Sequence, residues 1–119
     1  MGKQKKIMIA DDDPGIVDSI SIMLEFEGYE VSSTLNGAML LQMENALPDL
    51  LLLDIWMSGI DGRDICKQLK EKPVTSKLPI VIISASRDIE PSALEAGAND
   101  FLAKPFEMDD LLKKIEQNL

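Results

Sequence analysis

Two four-residue stretches of the chain consist wholly of branched aliphatic residues: Leu50-Leu51-Leu52-Leu53 and Ile80-Val81-Ile82-Ile83. Unbroken runs of this length predict strands buried on both faces, as in a parallel sheet. Short strands and helical stripes alternate around them. Lys6 to Ala10 predicts a first strand. Asp13-Pro14 then predicts a helix start, with a carboxylate cap followed by proline where its missing N–H costs nothing. That helix runs to about Glu27, with Ile16, Ile20, Met23 and Leu24 on one face, and Gly28 stops it. Tyr29 to Ser33 predicts a second strand, and Ala38 to Asn45 a second helix ended by Leu47-Pro48. Leu50 to Asp54 is the third strand. The Gly- and Ser-punctuated residues from Ile55 to Gly62 predict a loop.

Asp61 can cap a third helix that turns Ile65, Cys66 and Leu69 inward and ends near Lys72-Pro73. Pro79 to Ser84 is the fourth strand. Asp88 to Ala96 predicts a short helical segment with Asp88 or Glu90 as its cap, Pro91 in its first turn and Gly97 at its end. Asp100 to Ala103 is the fifth strand. Met108, Leu111, Leu112, Ile115 and Leu119 form one stripe of a final helix. Five strand–helix units in succession imply parallel strands, right-handed crossovers and helices on both faces.

Composition narrows what such a fold could bind. The chain has 119 residues, which suits one domain over 1–119 with no output domain after the last helix. Its net charge of −9 argues against direct nucleic-acid binding and against attachment to anionic membranes. The single cysteine, Cys66, precludes an internal disulfide and fits a reducing, cytoplasmic setting. Lys3, Lys5 and Lys6 precede an apolar run too short for a signal peptide, and no run reaches membrane-spanning length. With no histidine, histidine acid–base catalysis and histidine metal ligation are excluded.

The predicted strand ends carry the chemistry. Asp11-Asp12 follow the first, Asp54 ends the third, Ser84 ends the fourth and Lys104 follows the fifth. In a sheet of order 2-1-3-4-5, strands one and three meet at the switch point, where ligands bind. Three carboxylates gathered there repel one another, and Mg²⁺, which keeps positions open for water and phosphate, is their natural partner. With the Ser84 hydroxyl and the Lys104 ammonium in reach, the set reads as a phosphoryl-transfer site with Asp54 as nucleophile. Singly each residue has a plainer reading. Asp13 is a helix cap, Asp11-Asp12 a solvated helix-start pair, Asp54 a strand-end turn residue, Lys104 a solvated lysine, Phe101 simple core and Cys66 a small buried hydrophobe. Their joint occurrence at strand ends is what outweighs these.

The chain resembles a response-regulator receiver domain, the phosphoacceptor half of bacterial two-component signalling. The segments that carry the resemblance are Ile9 to Pro14, Leu52 to Met57, Asp61-Gly62, Ile82 to Ala85, Gly97 to Phe101 and Lys104-Pro105-Phe106. The resemblance implies a flavodoxin-like doubly wound (βα)5 sandwich and a phosphorylation-controlled switch rather than an enzyme. Such a switch assists its own phosphorylation and dephosphorylation. It implies that Asp54 accepts a phosphoryl group from a histidine kinase or a histidine phosphotransfer protein. Asp12, Asp54 and the Trp56 backbone carbonyl would ligate Mg²⁺, with Asp11 assisting through water. Ser84 and Lys104 would bind phosphoryl oxygens, with Ser84 and Phe101 as the switch pair. The face of helix four, strand five and helix five would be read by an unknown output partner, and the shortness of the fourth helix, rather than the resemblance, argues for a monomer. The resemblance also implies a cis Lys104–Pro105 bond.

Three departures stand out. Ser58 replaces the loop's usual proline, Ser84 the commoner threonine, and Ala85 to Ala96 is short and contains Pro91. The competing readings fit less well. A degenerate receiver acting as a constitutive binding module would not need all five site positions. A haloacid-dehalogenase-type phosphatase needs a second aspartate two residues after the nucleophile, where this chain has Trp56. A flavodoxin-like electron carrier needs a Ser/Thr/Gly-rich loop where this chain has Asp-Asp-Asp-Pro.

Overall fold

The computed structural model describes residues 4–57 and 59–119. Its central sheet is built from β1 (Lys6–Ala10), β2 (Glu30–Thr34), β3 (Leu50–Asp54), β6 (Ile80–Ser84) and β7 (Asp100–Ala103), all parallel, in the order β2-β1-β3-β6-β7. This is the predicted doubly wound topology. Between β3 and α3 (Gly62–Glu71), two-residue strands β4 (Trp56–Met57) and β5 (Ile60–Asp61) form a small antiparallel ribbon. The remaining helices are α1 (Pro14–Phe26), α2 (Gly37–Leu40), α4 (Glu90–Glu95) and α5 (Met108–Asn118).

Side-chain alternation along the strands divides the core into two layers. Leu50, Leu52, Ile7, Ile9, Val81 and Ile83 pack with Val17, Ile20 and Leu24 of α1 and with Leu111 and Ile115 of α5. Leu51, Leu53, Ile80, Ile82 and Phe101 face the other way, onto Leu40, Ile65, Cys66, Leu69 and Ala93. Leu50 to Leu53 are at most 1% exposed, so each contributes roughly 1.5–3 kcal/mol of apolar burial. That is why β3 is rigid enough to hold the carboxylate that ends it.

Local capping follows the sequence reading at two of the helices. Asp13 Oδ1 accepts from the Gly15 N–H at 2.9 Å with Pro14 in the first turn, and Asp61 Oδ1 accepts from the Arg63 N–H at 2.8 Å. The Lys104–Pro105 bond is cis.

Several expectations need correction. The buried stripe of α1 is Val17, Ile20 and Leu24, while Met23 is 41% exposed. The second helix ends at Leu40 instead of Asn45. Beyond it the amides of Leu41, Gln42 and Met43 bond three residues back, so the chain tightens and draws Leu41 and Met43 onto the core. Neither Asp88 nor Glu90 caps α4. A 3₁₀ turn, Arg87–Ile89, leads into it, and the Asp88 carboxylate instead accepts from the Ser86 hydroxyl. The loop after Asp54 contains the ribbon, because Met57 is fully buried and pins one strand of it. Ser58, noted above for replacing proline, lies outside the described residues.

Candidate functional site

The carboxyl ends of β1, β3, β6 and β7 converge on one edge of the sheet. β1 and β3 are neighbours whose following connections run in opposite directions, to β2 and to β6, and the crevice opened there gathers Asp11, Asp12 and Asp54. One carboxylate oxygen from each of the three lies within 4.8 Å of the others. The Lys104 Nζ donates to Asp54 Oδ1 at 3.1 Å and to Asp11 Oδ2 at 3.5 Å. The other oxygen of Asp11 accepts from the Asp13 N–H at 2.9 Å, which ties the first acid to the helix cap.

Backbone bonds fix the outer members. The Lys104 N–H donates to the Ser84 carbonyl at 2.8 Å, and the Ile55 N–H donates to the Ile83 carbonyl at 2.9 Å. Ser84 is buried, and its hydroxyl oxygen accepts from the Ser86 N–H at 3.0 Å. Trp56, two residues beyond Asp54, is 59% exposed, whereas Met57 is buried. Phe101 already packs in the core, on the layer that carries Ala93 of α4.

Burial raises the Asp54 carboxyl above the ordinary aspartate value. The Lys104 hydrogen bond opposes this, and the charges of Asp11 and Asp12 reinforce it. Burial alone would pull the Lys104 ammonium down, but bonding and charge from Asp54, then from Asp11, outweigh it and hold it above its usual range. With three carboxylates gathered around the single Lys104 ammonium, acidic groups outnumber basic ones in the site by two. An all-oxygen set of hard carboxylates with excess negative charge suits a hard dication such as Mg²⁺.

A consequence for stability follows. A carboxyl whose folded pKa is raised contributes stability below its unfolded value of 3.8 and loses it as pH rises through the folded value. In metal-free protein, Asp54→Asn should therefore gain stability relative to the native chain between pH 4 and pH 7. Urea unfolding at both pH values checks this, and a difference that does not change with pH would contradict it.

The structure thus brings together Asp11, Asp12, Asp54 and Lys104 in direct reach, with Ser84 beside them. Sequence reasoning missed the pairing of Asp61 with Arg63. The two lie two positions apart, Arg63 Nη2 sits 2.5 Å from Asp61 Oδ2, and the Arg63 N–H is capped by the same carboxylate. An acid followed by arginine at that spacing is the only signal the sequence offered.

Comparison with known proteins came out uniform. The family model for the response regulator receiver domain matches residues 7–116. The response regulator PleD of Caulobacter vibrioides is 40% identical over 110 residues, covering 90% of this chain and 24% of that protein. The DNA-binding dual master transcriptional regulator RpaA of Synechocystis sp. is 34% identical over 116 residues, covering 92% of this chain and 47% of that protein. This chain therefore spans less than half the length of either relative. Among solved structures, a putative response regulator from Chloroflexus aurantiacus superposes with a TM-score of 0.91 at 35% identity, covering 98% of both chains. The response regulator TrrA of Thermotoga maritima, solved in complex with Mg²⁺ and BeF, gives 0.87 at 29% identity, covering 98% of this chain and all of that one.

Proposed function

Because this chain belongs to the response-regulator receiver domain family, we propose that it is a phosphorylation-controlled signalling switch with Asp54 as its phosphoacceptor. The observation that carries the proposal is the Asp54 carboxylate, held 3.1 Å from Lys104 and grouped with Asp11 and Asp12 at the crevice beside β1. Serving as phosphoacceptor is the general function of the family.

On this reading an Asp54 oxygen attacks the phosphorus of a phosphohistidine on a histidine kinase or phosphotransfer protein. A phosphorus–oxygen bond forms, the phosphorus–nitrogen bond breaks, and the imidazole leaves with its electron pair. Asp12, Asp54 and the Trp56 carbonyl, with Asp11 assisting, would hold Mg²⁺, which when bound would offset charge on the transferring group. Ser84 exchanges its Ser86 N–H bond for a phosphoryl oxygen, and Lys104 pairs with the new charge. A groove of about 740 Å³ runs beside Lys104, bordered by Ile16, Ile20, Ala85, Phe106 and Met108, and gives a partner helix apolar surface next to the acceptor. The protein catalyses no reaction on a released substrate. It works in the cytoplasm as a monomer, and no described helix is long and apolar enough to cross a membrane. The readout lies on the face of α4, β7 and α5. Because Phe101 is already inward, that readout rests on Ser84 and α4 more than on an aromatic swing.

The test is intact mass after incubation with acetyl phosphate and Mg²⁺. One phosphoryl group should be gained only with the metal, and hydroxylamine should remove it, since it cleaves acyl phosphates and leaves serine esters intact. No gain, or a gain stable to hydroxylamine, would overturn the assignment.

A further inference from the structure

Helix α4 is weakly held. It has six residues, an N-cap residue, Ile89, whose side chain makes no capping bond, and one buried side chain, Ala93. Helices this short depend on packing and on bonds made to them from outside. Among the described residues, one side-chain hydrogen bond reaches α4 from another element: Arg63 Nη1 donates to Ser92 Oγ at 2.9 Å. Ser92 Oγ in turn donates to the Ile89 carbonyl at 2.9 Å, so the contact falls on the first turn of the helix.

The other side of that guanidinium is locked to the acceptor loop. Arg63 Nε donates to Asp61 Oδ1 at 3.0 Å and Oδ2 at 3.1 Å, and Nη2 donates to Oδ2 at 2.5 Å. A planar fork held this way has little freedom left. Asp61 is paired in the ribbon with Trp56, and the Gly62 N–H donates to the Ile55 carbonyl at 2.6 Å. Strand pairing and the Gly62 hydrogen bond therefore tie Asp61, and Arg63 with it, to Trp56 and Ile55 just after Asp54, and the first turn of α4 is what Arg63 touches on its other side.

We propose that Arg63 is a positioning residue that transmits displacement of the Asp54–Asp61 loop to α4 through the Ser92 hydroxyl. This deepens the signalling reading above and rests on it for the trigger, while the link itself rests on the hydrogen bonds alone.

The two parts are tested separately by amide exchange on Arg63→Ala, Ser92→Ala, their double variant and Ser92→Thr. Alanine at 63 keeps the N–H that Asp61 caps, so α3 is preserved. In metal-free protein, exchange of the α4 amides should rise about tenfold in each alanine variant, the effect expected for loss of a bond to a charged group. The double variant should lie within about twofold of Ser92→Ala, which also loses the bond to the Ile89 carbonyl, because Arg63→Ala then removes nothing further. Ser92→Thr, which retains the hydroxyl, should behave as the native chain. Additive effects, or failure of threonine to restore protection, would overturn the link as mere loosening of the helix. With beryllofluoride and Mg²⁺, native α4 should become protected. Arg63→Ala should lose that response while its Mg²⁺ affinity and acetyl phosphate uptake stay within about twofold, since it touches neither group directly. An unchanged α4 response in Arg63→Ala would overturn the transmitting role. A native chain that takes up no phosphoryl group would instead overturn the signalling reading, and the metal-free comparison would still decide the link.

Discussion

Asp54→Asn should take up no phosphoryl group from acetyl phosphate, while Asp12→Ala and Lys104→Ala should fail in two different ways. An amide in place of the carboxylate removes the nucleophile and leaves its shape, so uptake stops with the fold intact. Asp12 is exposed and supplies one of the three clustered carboxylates. Its loss should lower Mg²⁺ affinity on the order of tenfold or more, because affinity of an oxygen site follows its ligand charge. Lys104 competes with a cation for the same Asp54 and Asp11 oxygens, at 3.1 and 3.5 Å. Removing it should leave Mg²⁺ affinity intact or raised. It should also cost the metal-free protein roughly 1–3 kcal/mol by stranding partly buried carboxylates, a loss that Mg²⁺ should restore. Tryptophan fluorescence during Mg²⁺ titration and urea unfolding with and without the metal give both quantities. A fall in Mg²⁺ affinity on Lys104→Ala equal to that on Asp12→Ala would contradict these roles.

The crevice that gathers Asp11, Asp12 and Asp54 was legible in the sequence because its placement needs only two facts. Buried parallel strands announce themselves as unbroken apolar runs, and the residue after each run stands at the sheet edge. Leu50 to Asp54 and Ile80 to Ser84 satisfy both, and β1 and β3 pair in the register this requires. Asp13 and Asp61 were readable as caps because capping is decided within three residues. The buried face of α1 was readable only in part: Ile20 and Leu24 are buried as expected and Ile16 packs against the core, but Val17 takes the place expected of Met23. With apolar residues at 16, 17, 20, 22, 23, 24 and 26, two stripes fit the helical period equally well, and only packing on Ile7, Ile9 and Leu52 selects Val17 over Met23. The ribbon was not readable. Two-residue strands carry no period, and what holds them is the burial of Met57 and the return of the chain to Ile55. Contacts such as Arg63 to Ser92 join positions 29 apart, and no local pattern reports them.

The ribbon's return also sets the largest expected effect on stability, at Gly62. A Cβ there would sit 2.6 Å from the Asp54 carbonyl oxygen, 3.1 Å from Ile55 Cα and 3.2 Å from the Ile55 carbonyl oxygen. All three are backbone atoms, so no side chain can swing away. Moving α3 outward instead would pull Ile65, Cys66 and Leu69 from a layer where each is fully buried, and would break the Gly62–Ile55 hydrogen bond. Overpacking of this kind costs about 1–3 kcal/mol, and the immobility of the neighbours puts Gly62→Ala at the upper end. The helix propensity of alanine returns little, since position 62 is the first residue of α3. The displaced atom belongs to Asp54, the proposed phosphoacceptor, so Mg²⁺ affinity and phosphoryl uptake should fall together with stability. Gly28→Ala separates this from backbone strain. At Gly28 a Cβ meets nothing within 4 Å, and its φ of +97° makes any cost purely conformational, about 1 kcal/mol. Gly28→Ala should lower the urea midpoint modestly and leave Mg²⁺ binding and uptake unchanged. Gly62→Ala should lower all three, and a Gly62→Ala protein within about 0.5 kcal/mol of the native chain would show that the approach of α3 to Asp54 can relax.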